Sequence, residues 1–218
     1  MTSLSCWNVL SWNIRGLNSE KKQLALNNPI TTSGCSIICL QETKMPEVTF
    51  AFIKTCCPRQ FDRFAYVPSR GAFGGLLTIW KGSVFSGSVI SSEPSALVVD
   101  FVSTQSSQRW TLVNVYGPCT GTDRDVFTQW LYDIQIPSNQ DWLLLGDFNY
   151  MRAPDNHNKP GGNIHDMITF NDIIRKLQLI ELPVKGRTYT WSNMQIDPLL
   201  EQIDWFFTSL HWTNVYHK

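Results

Sequence analysis

Read for the periodicity of its apolar positions, the chain alternates strand-like stretches with short helical ones, without a linker or low-complexity segment. Strands are expected at 6–14, 36–40, 63–67, 75–80, 84–90, 96–102, 110–116, 187–192 and 203–208, where short apolar runs are bounded by Gly, Ser, Asn and Pro. The series from 63 to 116 predicts hairpins and an antiparallel sheet. One helix is expected at 19–28, ended or kinked by Pro29, and another from Pro46 as its first residue, with Phe50 and Ile53 facing inward. A third is expected at 125–134. A fourth starts from Asp166 as its cap, with Met167, Phe170, Ile173, Ile174 and Leu177 inward and Arg175 and Lys176 near its end. A polar loop, 152–163, carries Pro154, Pro160, Gly161 and Gly162.

The stretch 142–149, Trp-Leu-Leu-Leu-Gly-Asp-Phe-Asn, ends a buried strand in polar groups. Leu143, Leu144 and Leu145 form a continuous apolar run, as in a strand covered on both faces, and Gly146 is expected to let the backbone turn. Asp147 and Asn149 are two residues apart and so share one side of an extended chain. A carboxylate takes a proton or holds a cation, and a carboxamide hydrogen-bonds an oxyanion without changing charge. Taken alone, the stretch also reads as a strand closed by an Asx turn. Other strands end in similar chemistry, at Asn13, at Glu42 behind Gln41, and at Tyr116. Apolar strands ending in carboxylates, carboxamides and a phenol suit a hard-cation site and phosphoryl chemistry. Asp204, on the apolar strand 203–208, calls for a partner.

The 218 residues suffice for a large core, and one domain over 1–218 is expected. Lys plus Arg and Asp plus Glu are both 18, so no bulk positive field exists and any polyanion must be held by a local patch. No basic and then apolar leader opens the sequence, and no run approaches ~18 apolar residues, so an intracellular protein without a membrane span is expected. The six cysteines include no Cys-x-x-Cys pair. Cys35 and Cys39 fall on one strand face roughly 13 Å apart, too far for a disulfide or a shared zinc, which predicts buried free thiols in a reducing compartment. Among the four histidines, His157 and His165 are expected to be solvated or to face a bound polyanion, and no metal-binding spacing occurs.

Seven segments stand in order across almost the whole chain: Trp-Asn-Ile-Arg-Gly-Leu-Asn (12–18), Leu-Gln-Glu-Thr-Lys (40–44), Gly-Gly-Leu-Leu-Thr-Ile-Trp (74–80), Asn-Val-Tyr-Gly-Pro (114–118), Gly-Asp-Phe-Asn (146–149), Thr-Tyr-Thr-Trp-Ser-Asn (188–193) and Ile-Asp-Trp-Phe-Phe-Thr-Ser (203–209). Together they resemble the endonuclease/exonuclease/phosphatase superfamily, and within it the apurinic-like endonuclease domain of plant LINE-type non-LTR retrotransposons.

The resemblance implies a four-layer α/β sandwich, two face-to-face mixed β-sheets flanked by helices, with a divalent-metal phosphodiesterase site at one end. It implies Glu42 as the main ligand of Mg²⁺ or Mn²⁺, assisted by Asn13 and Asp147. Asp147 would orient or deprotonate the attacking water. Tyr116, Asn149 and the Thr190 hydroxyl would hydrogen-bond the phosphate, and Asp204 would orient a catalytic histidine. Arg15, Lys44 and Arg152, each close behind a motif, are expected to flank the substrate, duplex DNA nicked by a monomer in the nucleus. The family pattern ends in a Ser-Asp-His triplet on a further strand. This sequence has no such triplet around His211 or His217, so the domain is expected to be incomplete at its C-terminus, without its last strand and impaired in turnover. The reading is a Mg²⁺-dependent DNA-nicking phosphodiesterase derived from a retrotransposon. The alternatives are a catalytically dead relic that keeps the fold, and a phosphatase-type member of the same superfamily.

Overall fold

The structure, a computed structural model, describes residues 8–71 and 73–215. The fold is the expected α/β sandwich, with mixed sheets of four and six strands flanked by helices. The chain divides into two compact units, residues 1–109 and 110–218.

In the first unit, β1 (Val9–Asn13), β2 (Ile37–Gln41), β3 (Arg63–Val67) and β4 (Leu76–Trp80) form a sheet in the order β1-β2-β4-β3. β1 and β2 are parallel with Asn13 opposite Gln41, and the other two pairings are antiparallel. Every residue of β2 and β4 is buried, which is why their sequences are mostly apolar without alternation, with Gln41 at the end of β2 and Thr78 within β4 as buried polar exceptions. Ile38, Leu40, Leu77 and Ile79 share one face and pack in a cluster with Leu17, Leu26, Ile30, Ile53 and Phe61. β5 (Phe85–Glu93) and β6 (Ala96–Ser103) form a long antiparallel hairpin with an irregularity between Val89 and Ser91. Of the strand expected at 6–14, Cys6 and Trp7 lie outside the described residues.

The helix expected at 19–28 is divided into α1 (Glu20–Ala25) and α2 (Asn27–Ser33). Pro29 ends neither of them. It stands in the first turn of α2, where its missing N–H breaks no helical bond. α3 (Phe50–Cys56) begins later than expected from Pro46, because Thr49 caps it by accepting the Phe52 N–H at 3.2 Å. Ile53 faces inward as expected, whereas Phe50 is 44% exposed.

The second unit takes up β7 (Arg109–Tyr116), followed by α4 (Thr122–Asp133), β8 (Trp142–Asp147) and α5 (Ile164–Lys176). Four short strands follow or close it: β9 (Leu179–Glu181), β10 (Trp191–Ser192), β11 (Leu200–Glu201) and β12 (Asp204–Ser209), and then helix α6 (Leu210–Val215). Its sheet runs β7-β8-β12-β9, parallel between β7 and β8 and antiparallel beyond. The strand expected at 187–192 is reduced to β10, paired with β11 in a small hairpin. α5 is capped by Asn163 and not by Asp166. The Asn163 carboxamide oxygen accepts the N–H groups of His165 and Asp166, and Asp166 sits in the first turn, where its charge suits the helix dipole. Gly146 lies within β8 and makes no turn. With φ at 132°, a Cβ there would lie 2.1 Å from the Val115 carbonyl oxygen, so glycine serves a close approach of β8 to β7.

Cys35, Cys39, Cys56 and Cys57 are buried free thiols as expected, while Cys119 is exposed. Among the described residues no helix is long and apolar enough to cross a membrane.

Candidate active site

The first unit brings Asn13, Arg15, Glu42 and Lys44 together, because parallel pairing continues past the ends of β1 and β2. Ile14, Gly16 and Leu17 donate their N–H groups to the carbonyls of Gln41, Glu42 and Thr43 at 3.1, 2.7 and 2.8 Å. The Asn13 carboxamide oxygen accepts the Arg15 N–H at 3.1 Å, and Lys44 Nζ stands 3.0 Å from Glu42 Oε1. The Thr43 and Lys44 N–H groups donate to the carbonyls of Gly75 and Gly74, each at 3.0 Å. In sequence the Gly74-Gly75 doublet shows only as a motif; this role depends on pairing with a loop distant in sequence and leaves no local signal.

The second unit aligns three of the expected groups in one row. Tyr116 of β7 is opposite Asp147 of β8, and Asp147 is opposite Asp204 of β12. Residues in register share a sheet face, so the phenol and both carboxylates leave it on the same side. Beyond β8 the chain turns at Asn149, whose N–H donates to Asp147 Oδ1 at 3.0 Å and whose Nδ2 donates to the Gly117 carbonyl at 2.7 Å. The Thr190 hydroxyl oxygen accepts the N–H groups of Ile203 and Asp204 at 3.2 and 3.1 Å, which fixes the entry to β12. Asp147 is 2% exposed, whereas Asn149, Tyr116 and Asp204 are half-buried.

Among the described residues, seven non-glycine residues have left-handed φ values, and four of them are Arg15, Glu42, Lys44 and Asn149. Such conformations are disfavoured by about 1 kcal/mol or more and concentrate where surrounding contacts hold a group for a purpose.

The remaining candidates are placed differently. Arg152 is engaged by Glu181 through an ion pair and by Asn171 through a 2.9 Å hydrogen bond. His211 pairs with Asp141 at 2.7 Å, before the start of β8, whereas Asp147 ends that strand. The two therefore lie at opposite ends of β8. His157 is buried, contrary to expectation, and bonds the Gly161 carbonyl at 2.9 Å. His165 is exposed on α5, and His217 lies outside the described residues. Arg124 was not foreseen. Its guanidinium contacts the Asn149 carbonyl at 2.9 Å, and the available signal was a cation in the first turn of a helix, against the dipole.

The donors suit a particular class of metal. Glu42 and Asn13 offer hard oxygens, and Glu42 faces the Lys44 ammonium. Among the described residues no group of three or more His, Cys, Asp and Glu is arranged to hold a metal ion. A Mg²⁺ or Mn²⁺ ion that keeps several waters fits this set; a soft metal in a closed cage does not.

The sequence model of the Endonuclease/Exonuclease/phosphatase family matches residues 10–217. No curated protein matches the chain. The AP endonuclease LMAP from Leishmania major superposes with a TM-score of 0.71 at 16% identity, over 95% of this chain and 80% of that one. The endonuclease domain of TRAS1, a telomere-specific non-LTR retrotransposon, gives 0.72 at 12% identity over 96% and 88%. A mannosyl-6-phosphatase from Bacteroides thetaiotaomicron gives 0.58 at 11% over 94% and 86%. Identities this low carry the fold and leave the activity open. The family match spans nearly the entire chain, and the chain belongs to the endonuclease/exonuclease/phosphatase family.

Proposed function

We propose that the chain is a divalent-metal-dependent phosphodiesterase that nicks duplex DNA, of the apurinic-like kind carried by plant LINE-type retrotransposons. The observation that supports this most is the row Tyr116–Asp147–Asp204 with Asn149 beside it, two carboxylates, a phenol and a carboxamide at one sheet end. In this reading Glu42, Asn13 and Asp147 hold Mg²⁺ or Mn²⁺, an assignment drawn from the family resemblance. The ion, when bound, supplies positive charge to the phosphate oxygens. Asp147 orients the attacking water and accepts its proton. Tyr116, Asn149 and the Thr190 hydroxyl donate hydrogen bonds to the phosphate as charge develops on its oxygens, and Asp204 is the carboxylate that would orient a histidine. Arg15 and Lys44 flank the phosphate backbone. Arg152 joins them only by giving up part of its pairing with Glu181. The setting is intracellular and nuclear, with a monomer acting on DNA.

The test is incubation of supercoiled plasmid with the purified chain and Mg²⁺ or Mn²⁺, beside a phosphate monoester such as p-nitrophenyl phosphate. Nicked circles that EDTA abolishes are expected. Monoester hydrolysis without nicking would assign the chain to the phosphatase-type members. Neither activity, from a chain that melts cooperatively, would identify a relic that keeps the fold.

A further inference from the structure

Arg124, in the first turn of α4, ties together the segments that carry the proposed phosphate donors. Its Nη1 donates to the carbonyls of Pro118 and Asn149, both at 2.9 Å, and to that of Cys119 at 3.4 Å. Its Nη2 meets Asp166 Oδ2 at 2.8 Å, and the guanidinium lies 3.7 Å from the centre of the Tyr150 ring. The side chain is 17% exposed. A cation at this end of a helix opposes the helix dipole, so α4 gains nothing from it. The beneficiaries are the loop after β7, the loop after β8 and the first turn of α5.

Asn149 is held from two sides. Its side chain is fixed by Gly117, and its main chain, in the left-handed conformation at φ 54°, presents its carbonyl to Arg124. The Asn149 N–H in turn holds Asp147 Oδ1. We infer that Arg124 is a positioning residue, which sets the Asn149 carboxamide and, through the Asn149 N–H, the Asp147 carboxylate for the phosphate. This rests on the proposed roles of Asn149 and Asp147. Lysine cannot replace it, because an ammonium lacks the planar fork that reaches carbonyls of two loops and a carboxylate at once.

The variants are Arg124→Lys, Arg124→Ala, Asn149→Ala and the Arg124→Ala/Asn149→Ala double, each in the full chain. In ¹⁵N–¹H spectra the Asn149 side-chain amide of the unsubstituted protein should give two resolved, slowly exchanging signals. These should move toward those of a free asparagine in Arg124→Lys while the rest of the spectrum stays folded. In plasmid nicking, kcat should fall by about tenfold or more with KM little changed, as expected when a reacting group is displaced by a fraction of an ångström to an ångström. Added guanidinium ion should restore part of kcat to Arg124→Ala and none to Asn149→Ala, and the double variant should be no slower than Asn149→Ala. Unchanged Asn149 signals in Arg124→Lys, or losses that multiply in the double variant, would overturn the inference. A wild-type chain that does not nick would refute the DNA-nicking reading, and the Asn149 resonances would then decide the role of Arg124 by themselves.

Discussion

Among single residues, Glu42 and Asn149 combine a left-handed backbone with a polar side chain, in loops held by neighbouring carbonyls and N–H groups. A metal role for Glu42 is separable from a structural one. Its ion pair with Lys44 is partly exposed, with 33% of the Lys44 side chain and 18% of the Glu42 side chain accessible, so the pair contributes at most about 1 kcal/mol. Glu42→Ala should therefore fold with a melting temperature within about 4 °C of the wild type. Calorimetric titration with Mg²⁺ or Mn²⁺ should lose the heat seen for the wild type; equal heats would remove Glu42 from the metal. The cysteines give a contrast between buried and exposed sulfur. Burial pushes the Cys39 thiol far above its usual range, with a hydrogen bond to Thr78 opposing it in part. Above the ordinary thiol value the unfolded chain releases this proton and the folded chain keeps it, so stability is full below that value and declines as pH rises beyond it. At about pH 8 iodoacetamide should modify exposed Cys119 and leave Cys39 intact in the folded protein. Mass spectrometry of the digest checks this, and alkylated Cys39 in the folded protein would contradict its burial.

Among elements, β8 and α5 carry the frame of the second site. Gly146→Ala should cost more than about 3 kcal/mol, since the new Cβ would meet the Val115 carbonyl oxygen in a conformation that L side chains avoid. A normal yield of folded protein with an unchanged melting temperature would show that β8 approaches β7 less closely. Asn163→Ala should cost about 1 kcal/mol through loss of the α5 cap, read as a fall of about 2–4 °C in melting temperature. These elements were legible to different degrees. The buried strands β2, β4 and β8 showed in the sequence because burial on both faces leaves a mostly apolar run without alternation, broken in β4 only by Thr78. The start of α5 was misread because Asn163 and Asp166 are both capping residues, and only geometry distinguishes the cap from a first-turn acid. β9, β10 and β11 have two or three residues each, too few for a period to show. The polar ends of β7 and β8 were visible as residue types, but the row through Tyr116, Asp147 and Asp204 depends on which strands are neighbours. Sequence order does not state that β12 lies between β8 and β9. Arg124 left little trace, since most of its partners are main-chain carbonyls.

For the molecule as a whole, 18 basic and 18 acidic side chains cancel, so any DNA affinity has to come from a few local contacts and should be modest and salt-dependent. If Arg15, Lys44 and Arg152 each meet a phosphate, log K should fall by about 2.7 per log unit of salt, at ~0.9 per contact. Fluorescence anisotropy with a duplex should show this slope flattened when all three are alanine; the same slope in the variant would place the DNA elsewhere. In the proposed mechanism the Asp147 carboxylate, at the middle of its row, performs proton transfer in phosphodiester cleavage. Asp147→Asn tests it with the least disturbance, because the amide keeps an oxygen to accept the Asn149 N–H. The decisive measurement is the single-turnover nicking rate of supercoiled plasmid in Mg²⁺, for wild type and Asp147→Asn proteins with matching circular dichroism and melting temperature. EDTA-sensitive nicking by the wild type is expected, with a rate lower by about 10² to 10⁴-fold in the variant. Asp147→Asn nicking at the wild-type rate, still abolished by EDTA, would contradict it.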